Sequence, residues 1–164
     1  LHSPKACIQI IFESIKILKR PMNPEILIVN KSTDEQKAMG NVLSSFDLNL
    51  NYANHGSEAL IMAKRMKPSL IVSQISDTSM DGITMADIIR KDKFLTDVPI
   101  IFIHNELDLS LIAAAKQVDS KAFLIKPYIN NSLIYAVKKV LEISQLERVS
   151  IAATKSQMKS FLYA

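Results

Sequence analysis

The chain has no tryptophan, one cysteine, three glycines and six prolines among its 164 residues. A single cysteine excludes a disulfide scaffold and any cysteine-rich zinc module, and it suits a reducing compartment. So little glycine and proline leaves no room for low-complexity or collagen-like character. A bilayer-spanning run is missing as well. The stretch Cys7-Ile-Gln-Ile-Ile-Phe-Glu-Ser-Ile-Lys-Ile-Leu18 is apolar but short, and it is interrupted by Gln9, Glu13 and Lys16. No small-residue cleavage site follows it, which argues against a signal peptide. Nor does one sign of charge dominate. Twenty basic residues against sixteen acidic ones leave +4, a thin basis for a polyanionic partner.

What is present is apolar content: 48% of the residues are hydrophobic, enough for the core of one domain with short appendages and enough to exclude global disorder. The positive charge sits at the ends. Residues 1–24 and 131–164 each carry +3, whereas residues 25–130 hold eleven basic and thirteen acidic residues. At the N-terminus Ile8, Ile11, Phe12, Ile15 and Leu18 share one helical face, as in an amphipathic helix. Residues 1–21 also read as a non-native stretch ahead of a compact start at Met22-Asn-Pro-Glu25, and both readings stand.

From residue 25 the pattern is regular. Ile26-Leu-Ile-Val29, Leu70-Ile-Val72, Ile100-Ile-Phe-Ile103 and Ala122-Phe-Leu-Ile125 read as strands buried on both faces. Leu48-Asn-Leu-Asn-Tyr52 alternates and reads as an edge strand with one wet face. Helical stretches lie between. The capping box Ser32-Thr-Asp-Glu35 opens the first, which runs to about Phe46, and Ser57 caps the second, Gly56–Met66. Thr84–Asp92, Asp108–Gln117 and a segment from Asn131 onward make the third, fourth and fifth. Strand and helix alternate five times, which predicts a parallel α/β sheet covered on both faces, with function at the carboxyl ends of its strands. Asn30 and Lys31, Ser73 and Gln74, His104 and Lys126 stand at those ends.

Residues 25–130 resemble the receiver domain of two-component response regulators. The resemblance is carried by Ile26-Leu-Ile-Val29, Asn54-His-Gly-Ser-Glu-Ala-Leu60, Ser79-Met-Asp-Gly82, Val98-Pro-Ile-Ile101 and Phe123-Leu-Ile-Lys-Pro-Tyr128, in order and at family spacing. It implies a doubly wound, flavodoxin-like sheet of order 2-1-3-4-5, and a cis peptide before Pro127 that sets the Lys126 ammonium over the pocket. In the family two acids after the first strand and one Asp after the third hold magnesium, and that Asp accepts a phosphoryl group. By alignment those positions are Asn30, Lys31 and Gln74, none of them a carboxylate. His104 takes the place of the family's Ser or Thr. Only Lys126 matches the active set, with Phe123 as the aromatic switch residue and Pro127 and Tyr128 beside it on the partner face.

A neutral amide is a poor nucleophile, and an ammonium at the door repels magnesium. The expected pocket is therefore cationic, with Lys31 and Lys126 facing Asn30, Gln74 and His104. In one reading those three side chains satisfy Lys126 by hydrogen bonds. In a sharper one the two lysines bind a small anion or a partner's acid. Asp81 and Gly82 read as structural loop residues, and Asp77 as a solvated loop acid. His2, His55, His104 and Cys7 lack metal-ligand spacing, so neither a metal nor another cofactor is expected. No nucleophile–base arrangement can be assembled, which predicts no enzyme.

After Pro127 neither Gly nor Pro occurs through Ala164. Leu133, Val137, Val140 and Leu141 suit packing on the sheet. Ile143, Leu146 and Val149 begin a second apolar stripe, as in a signalling helix or dimer seam. The domains expected are an N-terminal extension or read-through (1–24), a receiver-like core (25–130), and a fifth helix with extension or linker (131–164). The function expected is a phosphorylation-independent interaction module of a cytoplasmic two-component pathway. Its protein partners, or a second copy, would bind the fourth-helix, fifth-strand, fifth-helix face or the C-terminal helix. A passive piece of a larger sensor kinase or transcription regulator, and a flavodoxin-like small-ligand binder, are the alternatives. Nucleic acid binding by this chain alone is not expected, because no helix-turn-helix fits in the residues left over.

Overall fold

The computed structural model describes residues 23–75, 80–128 and 130–142. The expectations for residues 1–21, for Asp77 and Ser79, and for the stripe from Ile143 onward lie outside them. The elements run β1 (Glu25–Val29), α1 (Thr33–Leu43), β2 (Asn49–Ala53), α2 (Gly56–Met66), β3 (Leu70–Gln74), α3 (Gly82–Lys91), β4 (Ile100–His104), α4 (Leu109–Gln117) and β5 (Ala122–Ile125). A final helix, α5, covers 130–142.

All strand pairs are parallel, in the order β2-β1-β3-β4-β5. Successive residues of the buried strands point to opposite faces, so each apolar run feeds two cores. Leu27, Val29, Ile71, Ile100 and Phe102 meet α2, α3 and α4 through Ala59, Ala63, Met85, Ala86, Ile89 and Ala115. Ile26, Ile28, Leu70, Val72, Ile101 and Ile103 meet α1 and α5 through Met39, Leu43, Leu133, Val137 and Val140. The fifth helix is thus part of the same packed unit as the sheet.

Several boundaries differ from the sequence reading. The first helix ends at Leu43, where Ser44 caps it, rather than near Phe46. The edge strand begins at Asn49 because the Leu48 N–H turns to the Phe46 carbonyl at 2.8 Å. The second helix is capped by His55, not Ser57. Its Nδ1 accepts the Glu58 N–H at 3.3 Å, and the Ser57 hydroxyl lies 2.8 Å from the same nitrogen. The third helix starts two residues before Thr84, since the Asp81 carboxylate accepts the Thr84 N–H at 2.7 Å. β3 and β4 outrun their apolar cores to Gln74 and His104, carried by the continuing ladder that pairs Gln74 with Ile103. That extension brings the candidate site residues onto rigid strand ends.

Candidate functional site

In a 2-1-3-4-5 sheet the chain leaves β1 in one direction and β3 in the other, which opens a crevice beyond their carboxyl ends. Here the crevice is a cleft of about 400 Å³ bordered by Asn30, Ser32, Glu35, His55, Gln74 and Met80.

Asn30 is 4% exposed and organises the floor. Its Oδ1 accepts the Ser32 N–H at 2.8 Å. Its Nδ2 donates to Glu35 Oε2 at 2.7 Å and to Gln74 Oε1 at 2.5 Å. The buried Gln36 amide donates to the carbonyls of Asn30 and Ala53 at 2.7 and 3.1 Å, tying β1 to β2 below the site. On the other side the Lys126–Pro127 peptide is cis, and the Lys126 N–H donates to the His104 carbonyl at 2.8 Å. The Lys126 ammonium reaches Glu35 Oε2 at 2.5 Å and Gln74 Oε1 at 3.3 Å.

Glu35 is the residue that sequence reasoning misplaced. A capping box would turn its carboxylate back to the Ser32 N–H. That donor is already taken by Asn30, so only the Ser32 hydroxyl half of the box forms, accepting the Glu35 N–H at 3.3 Å. The carboxylate is released toward Lys126. Its position one helical turn past Lys31 was the available signal, since a side chain at the start of α1 overhangs the end of β1. The expected cationic pocket is therefore corrected: Lys126 is paired with an acid, and among the described residues exposed Lys31 is the remaining cation on the cleft rim.

His104 does not bond to Lys126. Its Nδ1 sits 3.4 Å from the Ile75 carbonyl, and its ring meets Phe123 edge-on at 6.4 Å and 63°. Phe123 packs against the α2–α4 core and Tyr128 against the α1/α5 core, while Pro127 is exposed. Burial raises the Tyr128 phenol, and the Glu35 charge raises it further. Asp81 caps α3, and Gly82 lies buried at its first turn, where an added Cβ would stand 2.9 Å from Ser73 Oγ.

A magnesium ion requires several carboxylate or water oxygens. Among the described residues the site offers one carboxylate, already bonded to an ammonium, and Asn30 turns its nitrogen toward the cleft rather than its oxygen. This donor set does not fit the metal.

The Lys126 ammonium holds the Glu35 carboxyl below its ordinary value of 4.5, the Asn30 amide assisting and burial opposing. A carboxyl lowered by folding contributes stability above its unfolded pKa and loses it as pH falls through the folded one. The pair is partly exposed, so the contribution is small. Chemical denaturation at stepped pH is expected to show stability declining below about pH 4.5, with a shallower decline in Glu35→Gln.

Comparison with known proteins follows the same geometry. The profile of the response regulator receiver domain matches residues 26–138. Chemotaxis protein CheY-3 of Vibrio cholerae is 27% identical over 121 residues, spanning 73% of this chain and 93% of that protein. An NtrX-like response regulator of Rickettsia bellii is 25% identical over 129 residues, and the transcriptional regulatory protein PrrA of Mycobacterium leprae 24% over 119. Of those two the match spans only 27% and 50% of their length. Among solved structures, a CheY-like receiver domain from Methanospirillum hungatei superposes with a TM-score of 0.71 at 18% identity, over 76% of this chain and 98% of its own. NtrX of Brucella abortus does so with 0.72 at 24% identity, over 82% of this chain and 31% of its own. With its sheet order, its Lys–cis-Pro turn and a matched span from β1 into α5, the chain belongs to the response regulator receiver domain family.

Proposed function

We propose that this receiver domain works in two-component signalling as a protein-interaction module whose state does not depend on phosphorylation. The observation that carries the reading is Gln74. It stands at the carboxyl end of β3, with its carboxamide oxygen accepting from Asn30 and Lys126. A carboxamide cannot form an acyl phosphate, because its nitrogen-bearing carbonyl presents no anionic oxygen to attack phosphorus. Glu35, an acid lining the cleft, is engaged by the same ammonium. These groups satisfy one another, which favours a single pocket state without metal or phosphate.

Partners would then be recognised on the surface. Leu107 and Leu109 before and within α4, and Tyr135 on α5, are 67%, 75% and 64% exposed, a distribution that suits a protein partner or a second copy on the α4–β5–α5 face. Among the described residues no helix is long and apolar enough to cross a membrane, in keeping with a cytoplasmic role. The half-length match to PrrA supports a second arrangement in which the domain is one piece of a larger regulator.

Incubation of the full chain with acetyl phosphate and magnesium, followed by intact-mass measurement, tests the reading. The expected result is an unmodified chain. A phosphoryl adduct that is lost in mild base would overturn it.

A further inference from the structure

At the far end of the sheet from the cleft, the C-terminus of α2 and the turn after α3 come together in a way that the pocket does not explain. Lys67 caps α2 in the left-handed region, φ 48° and ψ 72°, a conformation that favours glycine because a Cβ there crowds the backbone. The sequence keeps a lysine at that strained position. Its ammonium stands 5.3 Å from the centroid of the Phe94 ring, and Lys93 stands 4.8 Å from the same ring.

Phe94 itself is not core. It is 67% exposed, and the adjacent Leu95, 1% exposed, fills the interior in its place. The Phe94 N–H donates to the Asp92 carboxylate at 2.8 Å, so the backbone that presents the ring is held. Ile61, 57% exposed, and Lys64 lie on the preceding turns of α2. Lys64, Arg65 and Lys91 belong to the last turns of their helices, where cations offset the helix dipole. Lys67 and Lys93 lie beyond those turns, so that account does not cover them. The strained Lys67 spends its side chain on an exposed ring and not on the core, which points to a use at the surface.

We propose that Phe94, flanked by Lys67 and Lys93, is a docking point for an acidic segment of a partner protein. An apolar side chain of that segment would cover the ring, and its carboxylates would meet the two ammoniums. Held aromatic anchors ringed by complementary charge are the usual centre of such contacts. The surface lies away from the α4–β5–α5 face and serves a separate partner. A nucleic acid is the poorer fit, because two ammoniums beside one ring offer neither a basic track along a phosphate backbone nor a run of stacking platforms.

Fluorescence anisotropy of the full chain with a fluorescein-labelled peptide alternating Glu with Leu and Phe tests this. A peptide with Gln in place of Glu and an oligothymidylate serve as comparison probes. Binding to the acidic peptide is expected, weakening about tenfold in Phe94→Ala and in Lys67→Gly, and unchanged in Tyr135→Ala. The Lys67→Gly chain should keep its thermal midpoint or gain up to about 3 °C, since glycine relieves the left-handed strain. Loss of binding there cannot then be put down to misfolding. No binding by the native chain, affinity indifferent to both substitutions, or equal affinity for the Gln peptide or the oligothymidylate would overturn the proposal.

Discussion

Replacing Phe102 by alanine is expected to destabilise the domain by about 3–5 kcal/mol. Phe102 is fully buried in the middle of β4, paired in register with Ser73 of β3 and Phe123 of β5. Its ring lies under the start of α3, where a Cβ on Gly82 would stand 3.1 Å from Phe102 Cε1. The helix thus approaches the sheet as closely as a glycine permits, and the ring fills what remains. Neighbours on two strands and a capped helix cannot collapse into the space left by truncation, so a cavity term adds to the lost transfer energy. Urea denaturation followed by circular dichroism is the measurement, with a lowered midpoint and an unchanged slope as the expected signature. Because the cavity opens beside Gln74 and Gly82, the cleft should also loosen, visible as faster amide exchange at the start of α3.

Arg90→Met is expected to cost roughly 2–4 kcal/mol although it removes no core volume. The guanidinium of Arg90, in the last turn of α3, donates to the carbonyls of Val118, Thr96 and Val98 at 2.8 Å each and to that of Asp119 at 3.3 Å. It ties the end of α3 to the chain entering β4 and to the turn leaving α4. Desolvation lowers its pKa, with Asp119 and Asp97 opposing that shift. Methionine keeps the apolar stem but leaves the partly buried carbonyls of Val118 and Val98 without a donor, and an unpaired buried acceptor is expensive. Arg90→Lys separates charge from geometry. Lysine keeps the cation but not the planar fork, so it should recover less than half of the loss. Equal stability of the lysine variant and the native chain in the same denaturation experiment would show that charge alone suffices. These two residues hold the sheet from opposite ends, one beneath the cleft and one beside Asp119 and the α4–β5 turn.

Neither of these roles is legible in the amino-acid sequence alone. Phe102 was legible as part of an apolar run, yet its contact with Gly82 requires α3 to be laid across β3 and β4. Arg90 looked like one more basic residue in a helix's last turn. Its four acceptors come from segments up to 29 positions away, and no local pattern announces them. The site shows the same division. Asn30, Lys31, Gln74, His104 and Lys126 were all placed at strand ends by the apolar runs that precede them, and they lie there. Which of them touch was not legible. His104 turned to the Ile75 carbonyl and the Phe123 ring, and Glu35 entered because a hydrogen bond between Asn30 and Ser32 took the donor it was expected to cap.

The caps make the point at the scale of single turns. Asp81 and His55 each accept an amide from the residue three positions on, a local geometry that a sequence can carry. Choosing His55 over Ser57 depended on where β2 ended, which is a matter of ladder register with β1. By itself, then, the sequence determined the parallel α/β class, the five strands and the positions at their carboxyl ends, because periodicity and capping act between residues a few places apart. Tertiary structure alone decided the Lys126–Glu35 pair, 91 positions apart, the Asn30–Gln74 bond across 44, and the lysines closed over Phe94. Side-chain hydrogen bonds and cation–π contacts are set by distances of a few ångströms in space, and only the packed sheet fixes those.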